Sequence, residues 1–166
     1  MAERTNPLTQ TSPINGTGIA ITYAGPLQLT QIRAKSHASL PTEPLTSTSH
    51  GETTILWLGP DEWLLTGEPT NIQNELGDAL RASVDVSHRT LAIDISGPQA
   101  TSVLNASCPL DLHITKMPAG STARSHLGKT AITLHRADTN SFRLFTNRSF
   151  ADYTWRLLAT SAQEFV

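Results

Sequence analysis

A two-residue alternation of apolar and polar side chains in residues 84–98, VDVSHRTLAIDISGP, constrains the fold of this chain most. One side of the extended segment carries Leu91, Ile93 and Ile95, and the other carries Ala92, Asp94 and Ser96. This alternation is typical of a strand that buries one face. Gly97 and Pro98 are expected to end the strand and begin a helix, because proline is preorganised for the first helical turn.

Four polar side chains precede the predicted strand within five residues. They are Asp85, Ser87, His88 and Arg89. Such a group could form an acid–base cluster, since carboxylate, hydroxyl and imidazole groups act as acids, bases and nucleophiles. It could instead make the hydrogen bonds and ion pairs that hold the end of a strand. We favour the structural interpretation, because catalysis needs a pocket that the sequence does not show.

Strand-like and helix-like patterns are mixed along the rest of the chain. Apolar alternation predicts short strands near 19–23, 27–29, 53–58, 63–65, 122–126, 130–134 and 142–144. Helical spacing predicts helices over 71–81, over 100–104 and after Ser149. A capping box of Thr70 and Gln73 should begin the first helix, and Ser149 should cap the last, with Asp152 in its first turn. Residues 35–52, rich in proline and hydroxyl side chains, predict a long loop.

The element order, ββββα and then βαβββα, favours an α+β fold of antiparallel sheets with helices to one side. We expect two small antiparallel-sheet-plus-helix subdomains, over residues 17–86 and 87–166. Residues 1–16 predict a flexible tail, because this polar segment cannot bury enough apolar surface to offset the entropy of ordering. The 166 residues, 38% of them apolar, suffice for one ordinary core or two small units that share one.

The charge pattern argues against nucleic acid and membranes as partners. The net charge is −2, and the 12 lysines and arginines are scattered rather than clustered. No apolar run approaches the roughly 18 residues of a membrane helix, and the N-terminal residues lack the apolar core of a signal peptide. The single cysteine, Cys108, excludes an internal disulfide framework and suits a reducing compartment. These features predict a cytoplasmic protein.

Motifs for catalysis, cofactors and metals are missing. The six histidines, at 37, 50, 88, 113, 126 and 135, lack the spacing of a helical or strand-borne metal site. Gly128-Lys129-Thr130 imitates the end of a phosphate loop, but Ala123 stands where the loop needs glycine. Neither GxGxxG nor GxSxG occurs. We therefore assign no catalytic, cofactor-binding or metal-binding residue.

Two residue types have a structural explanation that we prefer to a functional one. Cys108 could be a nucleophile, but no base is identifiable near it, and a small, partly buried residue near a helix end is the simpler interpretation. The three tryptophans, Trp57, Trp63 and Trp155, are most simply anchors of a core or an interface. Ligand stacking is the alternative for them.

Four segments together resemble the γ subunit of heterotetrameric sarcosine oxidase. They are LWLGPDEWLLTG at 56–67, VDVSHRTLAIDISGPQATSVLNASCPLDLH at 84–113, MPAGSTARSHLGKTAITLHR at 117–136 and FRLFTNRSFADYTWRLL at 142–158. SHRT, ISGPQA and RSFADYTW are the most specific pieces. The order and spacing agree with that family from about residue 19 to residue 158. The tail and the loop around residues 41–50 carry no resemblance.

The resemblance implies a fold similar to the folate-binding domain of the glycine-cleavage aminomethyltransferase. It implies a complex that oxidises sarcosine to glycine, passes the one-carbon unit to tetrahydrofolate and reduces oxygen to hydrogen peroxide. In such complexes the α subunit holds a dinucleotide (NAD) and the folate site, the β subunit carries FAD and FMN, and the δ subunit binds zinc. The γ subunit is not known to hold a cofactor, and a folate site does not transfer with the fold.

Three hypotheses follow. The leading one is a structural subunit, without an active site, that assembles with the α, β and δ subunits of a sarcosine oxidase. The second is an autonomous folate-binding or folate-using protein. The third is the γ subunit of a related N-methyl amine oxidase or dehydrogenase complex, which this chain cannot distinguish from the first because the substrate site lies in another subunit.

Overall fold

The computed structural model describes residues 6–166. Its strands are β1 Ile14–Gly16, β2 Ile19–Tyr23, β3 Leu29–Ala34, β4 Ser47–His50, β5 Thr53–Gly59, β6 Glu62–Thr66, β7 Leu80–Asp85, β8 Thr90–Ser96, β9 Thr122–Leu127, β10 Thr130–Asp138 and β11 Ser141–Asn147. Its α-helices are α1 Thr70–Leu76, α2 Ala100–Asn105 and α3 Ala151–Ser161. None of the helices in the described residues is long and apolar enough to cross a membrane.

The strands form two antiparallel sheets. The larger sheet has the order β1-β2-β8-β11-β10-β9, and the smaller sheet has the order β4-β5-β6-β3-β7. The predicted α+β class, with antiparallel sheets and few helices, is confirmed. The chain crosses from the smaller to the larger sheet in the short turn between β7 and β8.

Helices and sheets stack in four layers around three apolar clusters. α2 and α3 cover one face of the larger sheet and share its main core, to which they contribute Ala100, Val103, Leu104, Ala151, Trp155 and Leu158. α1 packs on the outer face of the smaller sheet through Ile72 and Leu76. The third cluster joins the two sheets and consists of Leu29, Leu56, Leu58, Leu64, Val86, Ala92 and Phe145. The sheets therefore pack face to face in the middle of the molecule.

The predicted central strand is β8. It lies between β2 and β11, and Ile93 is opposite both Tyr23 and Leu144. The strand ends at Ser96, and Gly97 follows with a φ of +113°. A Cβ atom at residue 97 would lie 2.3 Å from the carbonyl oxygen of Gly18, so only glycine fits this close approach of two backbones.

Two helix boundaries differ from the predicted ones. The helix predicted over 71–81 ends at Leu76, because Gly77 takes a φ of +44°, and the chain then enters β7. The predicted capping box does not form: the backbone N–H of Thr70 donates to Glu68 Oε1 (3.2 Å) instead. Ser149 does not cap the last helix either, since it lies inside a 3-10 turn over Arg148–Phe150 that leads into α3.

Other predicted elements differ more in extent than in type. The hairpin of β5 and β6, the strands β9, β10 and β11 and the helix α2 are confirmed. The loop predicted over 35–52 contains β4. β7 was not predicted, because its side chains are almost all exposed and show no buried alternation.

The flexible tail predicted over 1–16 stays a prediction, and its described part contacts the rest of the fold. Leu8 is 1% exposed within the main core, and β1 pairs with β2. One buried leucine and one short strand pairing connect this segment to the rest of the fold. Its polar composition alone does not indicate these contacts. The first five residues of the predicted tail lie outside the described residues.

The division into residues 17–86 and 87–166 stays a prediction, and the sheets cut across it. β2 belongs to the first segment but pairs with β8 of the larger sheet. The smaller sheet is drawn from the first segment alone, and the larger sheet takes strands from both. Apolar alternation indicates a strand without specifying its partner, so the sequence did not show that β2 pairs with a strand of the second segment.

Candidate functional site

The polar cluster of residues 85–89 builds the turn that joins the two sheets. The backbone N–H and the hydroxyl of Ser87 donate to Asp85 Oδ1 at 2.8 and 2.5 Å. These hydrogen bonds, the side-chain one first, hold the pKa of Asp85 below its ordinary value. The N–H of Leu29 in turn donates to Ser87 Oγ (2.9 Å). The turn is thereby bonded to β3 of the smaller sheet.

The other two members of the cluster are bonded elsewhere. Arg89 Nη2 donates to Gln31 Oε1 (2.8 Å), and the N–H of Arg148 donates to the carbonyl oxygen of Arg89 (2.7 Å). The carbonyl oxygen of His88 accepts from Arg148 Nη1 (3.3 Å). None of these bonds joins a carboxylate of the cluster to its imidazole. They agree with the interpretation that the cluster holds the end of a strand.

A cleft of about 500 Å³ opens between the two sheets beside this turn, and we call it the first cleft. Apolar residues of the central cluster, among them Leu64, Val86 and Phe145, line its depth. Arg89, Arg124 and His126 line it closer to the surface and are exposed. Its volume lies within the range of small-molecule sites.

Hydrogen bonds bridge the two sheets at the first cleft. Arg89 donates to Gln31, Gln31 Nε2 donates to Glu62 Oε1, and Arg124 Nη2 lies 3.0 Å from the same carboxylate oxygen. The Arg124 side chain is 51% exposed, whereas that of Glu62 is 13% exposed. The negative charge is therefore the more sheltered partner, and the positive charge faces solvent.

A second cleft, of about 350 Å³, lies between the sheets on the other side of Phe145, which lines both. Arg143 binds Asp94 through two parallel hydrogen bonds, Nε to Oδ1 (2.6 Å) and Nη2 to Oδ2 (2.9 Å). This bidentate geometry raises the pKa of Arg143. His135 lies opposite Arg143 on the neighbouring strand. The three side chains form a charged row across β8, β11 and β10.

His135 is a half-buried histidine that lines the second cleft. Its Nδ1 is 3.1 Å from the carbonyl oxygen of Ser121, so Nδ1 carries the proton when the ring is neutral. Burial lowers the pKa of His135, and the positive charge of Arg143 lowers it further. A neutral imidazole with Nε2 as acceptor is the form that this position favours.

Few acidic side chains lie at the two clefts in the described residues. Among residues 6–166, no three His, Cys, Asp or Glu side chains lie close enough together to hold a metal ion. Asp94 is the one carboxylate among the described residues that line either cleft, and Arg143 occupies both of its oxygens. Each of these oxygens accepts one hydrogen bond from Arg143 and keeps a second lone pair.

Two other candidates from the sequence, Cys108 and residues 128–130, do not line either cleft. Cys108 is 5% exposed in the main core, with Sγ 3.8 Å from Ser125 Oγ, which agrees with its structural interpretation. Gly128-Lys129-Thr130 is the hairpin turn between β9 and β10, where the N–H of Lys129 donates to Tyr153 Oη (3.1 Å). A hairpin turn lacks the strand-to-helix context of a phosphate loop.

The tryptophans belong to the cores. Trp63 is 2% exposed and donates from Nε1 to the carbonyl oxygen of Pro41 (2.8 Å). Trp57 lies opposite Trp63 in the hairpin and packs against the same cluster. Trp155 is 8% exposed between α3 and the larger sheet. Trp63 and Trp155 are anchors of a core, as predicted, and Trp57 is half-buried beside one.

Sequence reasoning did not find the charged row or the arginines of the first cleft. Asp94 is far from His135 and Arg143 in the chain, and the three side chains meet only through strand pairing. The signal that could have found them is the polar side of the alternation in β8, β10 and β11, which continues over three adjacent strands.

Comparisons of sequence give a consistent result. A family model described as sarcosine oxidase, gamma subunit family, matches residues 27–164. The chain is 32% identical over 118 residues to sarcosine oxidase subunit gamma of Corynebacterium sp. (strain U-96), which covers 68% of this chain and 58% of that protein. It is 31% identical over 118 residues to sarcosine oxidase subunit gamma of Arthrobacter sp., with the same coverage. The chain thus spans somewhat more than half the length of these curated relatives.

Comparisons of structure give the same fold. A chain of the heterotetrameric sarcosine oxidase from Corynebacterium sp. U-96, solved in complex with pyrrole 2-carboxylate, superposes with a TM-score of 0.81 at 25% identity. That match covers 92% of this chain and 87% of the other. The glycine cleavage system aminomethyltransferase T from Bartonella henselae matches with a TM-score of 0.62 at 11% identity, over 86% of this chain and 46% of that one. The second likeness shows the fold alone.

Proposed function

The chain belongs to the sarcosine oxidase gamma subunit family, and we propose that it acts as the γ subunit of a heterotetrameric, flavin-dependent sarcosine oxidase. The observation that carries the proposal is the family match over residues 27–164, joined to a TM-score of 0.81 with a chain of a solved heterotetrameric sarcosine oxidase. The resemblance predicted from four sequence segments is thereby confirmed at the level of the family. The activity, the partners and the substrate of the complex are part of the proposal.

In this proposal the chain is structural and lacks an active site of its own. The polar cluster of residues 85–89 is used in the turn between the sheets, and the bidentate ion pair of Asp94 and Arg143 occupies the second cleft. The partners are the α, β and δ subunits, which hold FAD, FMN, NAD, tetrahydrofolate and zinc. The complex is cytoplasmic, which suits a chain with one cysteine.

Co-expression with α, β and δ subunits tests the proposal. We expect the tagged chain to retain a flavin-containing complex that forms hydrogen peroxide from sarcosine. Leaving this chain out should lower the yield of assembled complex, because a subunit that binds the folded partners stabilises them by mass action. A chain that purifies alone, and never with a flavoprotein, would refute the proposal.

The substrate is tested on the same assembled complex. We expect sarcosine to be oxidised faster than other N-methyl amines, such as N-methylglutamate or methylated betaine derivatives. A preference for another N-methyl amine would instead make the chain the γ subunit of a related oxidase or dehydrogenase complex. Saturable tetrahydrofolate binding by the isolated chain would favour the autonomous folate-binding protein, which rests so far on the fold alone.

A further inference from the structure

Three concavities lie next to one another around the turn between the sheets and share lining residues. The first cleft shares Arg89 and Asn147 with a shallow hollow of about 700 Å³. That hollow shares His88 and Arg148 with a third concavity of about 230 Å³, beside the loop after β2. We call the three together the basic groove. Neighbouring concavities of this kind fit an extended chain better than a compact ligand.

The groove separates charge in a chain that is acidic overall. Its ionisable lining residues are Arg89, Arg124, Arg148, His88 and His126. Among the described residues, no aspartate or glutamate lines any of its three parts. The whole chain nevertheless has 14 acidic and 12 basic residues and a net charge of −2. A one-sign surface of this kind attracts groups of the opposite sign.

Among residues 6–166, two carboxylates border the groove and reduce its charge only in part. Glu62 accepts hydrogen bonds from Gln31 and Arg124, and its side chain is the sheltered partner of that pair. Asp85 accepts from Ser87 in the turn. Arg89 is exposed and bonded to a neutral amide oxygen, so its full charge faces the groove. Guanidinium groups bind carboxylates in two-point fashion.

The depth of the groove is apolar. Leu58, Leu64, Val86 and Phe145 line the first cleft and are between 3% and 8% exposed. An apolar floor below a basic rim resembles a protein interface, in which apolar anchors are buried at the centre and charges lie at the edge. The occupant should therefore carry carboxylates together with at least one apolar side chain.

We propose that the basic groove is the docking site for an acidic segment of a partner subunit, with carboxylates on Arg89 and Arg124 and an apolar side chain over Phe145. The inference rests on the proposed function, since it assumes that the chain assembles with other subunits. The attraction between exposed charges sets the rate and the salt dependence of docking, and the buried apolar contact sets how long it lasts.

The double variant Arg89→Gln, Arg124→Gln tests the proposal in the co-expressed complex. The matched control is Arg81→Gln, Arg156→Gln, which removes two exposed arginines that do not line the groove. The amount of partner retained by the tagged chain is measured from about 0.05 to 0.5 M NaCl, where screening of exposed charges changes strongly. We expect the groove variant to bind partners about tenfold more weakly at low salt and to show a flatter salt dependence.

The outcomes separate the groove from the function. Equal retention by the groove variant, the control and the wild type would overturn the docking proposal and leave the family function intact. A wild-type chain that retains no partner would overturn the proposed function first. The charge-keeping variant Arg89→Lys, Arg124→Lys should restore most of the binding. If the glutamine pair unfolds, the single exposed variant Arg89→Gln carries the test in its place.

Other occupants give distinguishable results. A photo-crosslinking side chain in place of Ala131, an exposed lining residue of the first cleft, should capture a partner peptide rich in aspartate and glutamate. Capture of a partner peptide without acidic residues would overturn the proposal. So would a dimer of the isolated chain that the groove variant abolishes. Inorganic phosphate or citrate that raises the melting temperature of the wild type but not of the groove variant, with partner retention unchanged, would assign the groove to a small anion instead.

Discussion

The two faces of the larger sheet are made by the same strands and differ in chemistry. On the face that α2 and α3 cover, the three central strands carry Leu91, Ile93, Ile95, Ile132, Leu134, Phe142 and Leu144. On the face toward the smaller sheet, they carry Ala92, Asp94, Thr133, His135, Arg143 and Phe145. Both faces are covered, and the two clefts of the described residues lie on the side of the second face.

The difference between the two faces shows what decides whether a covered face packs without clefts. Apolar side chains lose nothing when water leaves, so the helix-covered face packs completely. Charged side chains keep their hydration unless they are paired, so a polar face can pack on a second sheet only at a few apolar points. Phe145 is the main such point, and the clefts lie on either side of it.

The largest expected effect lies on the helix-covered side, at Trp155. Trp155→Ala should lower the free energy of unfolding by about 3–5 kcal/mol, because it leaves a large cavity between α3 and the sheet. Urea denaturation measures the loss. Phe150→Ala is the control, because that ring is 46% exposed and should change stability by less than about 0.5 kcal/mol. A neutral Trp155→Ala would contradict the burial of α3 in the core.

Adjacent residues of β11 compare the two faces directly. Leu144→Ala, on the closed face, should cost about 2–5 kcal/mol. Phe145→Ala removes more atoms, but it should cost less than the about 3–5 kcal/mol of a phenylalanine in a closed core, because water from two clefts can fill the space. Denaturation of both variants measures the contrast. A larger loss for Phe145→Ala than for Leu144→Ala would show that the second face is as closed as the first.

The ion pair of the second cleft should contribute less than either apolar contact. Asp94 and Arg143 are each about one-third exposed, so solvent screens their attraction. A double-mutant cycle with Asp94→Asn and Arg143→Gln should give a coupling energy of about 1 kcal/mol or less. The same cycle on Asp152 and Arg156, an exposed pair one helical turn apart, is the reference and should give about 0.3–0.5 kcal/mol. A coupling of several kcal/mol would mean that the cleft excludes water.

The smallest effect is a pH dependence at His135. Burial lowers its pKa in the folded state below the ordinary value of 6.5, so the unfolded chain takes up the proton first as the pH falls. The contribution of neutral His135 to the stability of the folded state is therefore complete above about pH 6.5, and it is lost as the pH falls below that value. His135→Gln should flatten the fall in stability as the pH decreases below about 6.5. An unchanged slope, measured by denaturation at several pH values, would contradict this assignment.

The lowered pKa of Asp85 acts in a separate range. Its carboxylate is bonded to Ser87, so its contribution is present above about pH 4 and is lost below it. The contributions of His135 and Asp85 can therefore be separated by pH alone.

His126→Gln is the matched control for His135→Gln, since His126 is exposed and lines the first cleft rather than the second.

Elements with one buried face could be predicted from the sequence, and elements without one could not. β8 shows its alternation in the letters TLAIDIS, and α2 shows its apolar spacing. β7 has no buried residue and is a strand because β3 offers it backbone partners. α1 ends where Gly77 takes a positive φ. Glycine adopts positive and negative φ equally readily, so the sequence does not show whether the helix continues or turns at this residue.

The candidate site was predictable only in part, because it depends on pairs of distant residues. The turn of residues 85–89 was found as a cluster, since its members are neighbours in the chain. The row of Asp94, Arg143 and His135 exists only in one register of β8, β11 and β10, and a shift by one residue would turn each side chain to the other face. The basic groove similarly joins Arg89 to Arg124 across two sheets.

The sequence by itself determined the strand character of the chain, its α+β class and its family, because these follow from short-range alternation and from words of neighbouring residues. The tertiary structure alone decided that β2 joins the larger sheet, that Leu8 is buried and that two clefts remain between the sheets. Such features depend on long-range strand pairing, in which register is set by burial and by all partners at once. The central strand was visible in the letters, but the chemistry of its second face took shape only when its neighbours were in place.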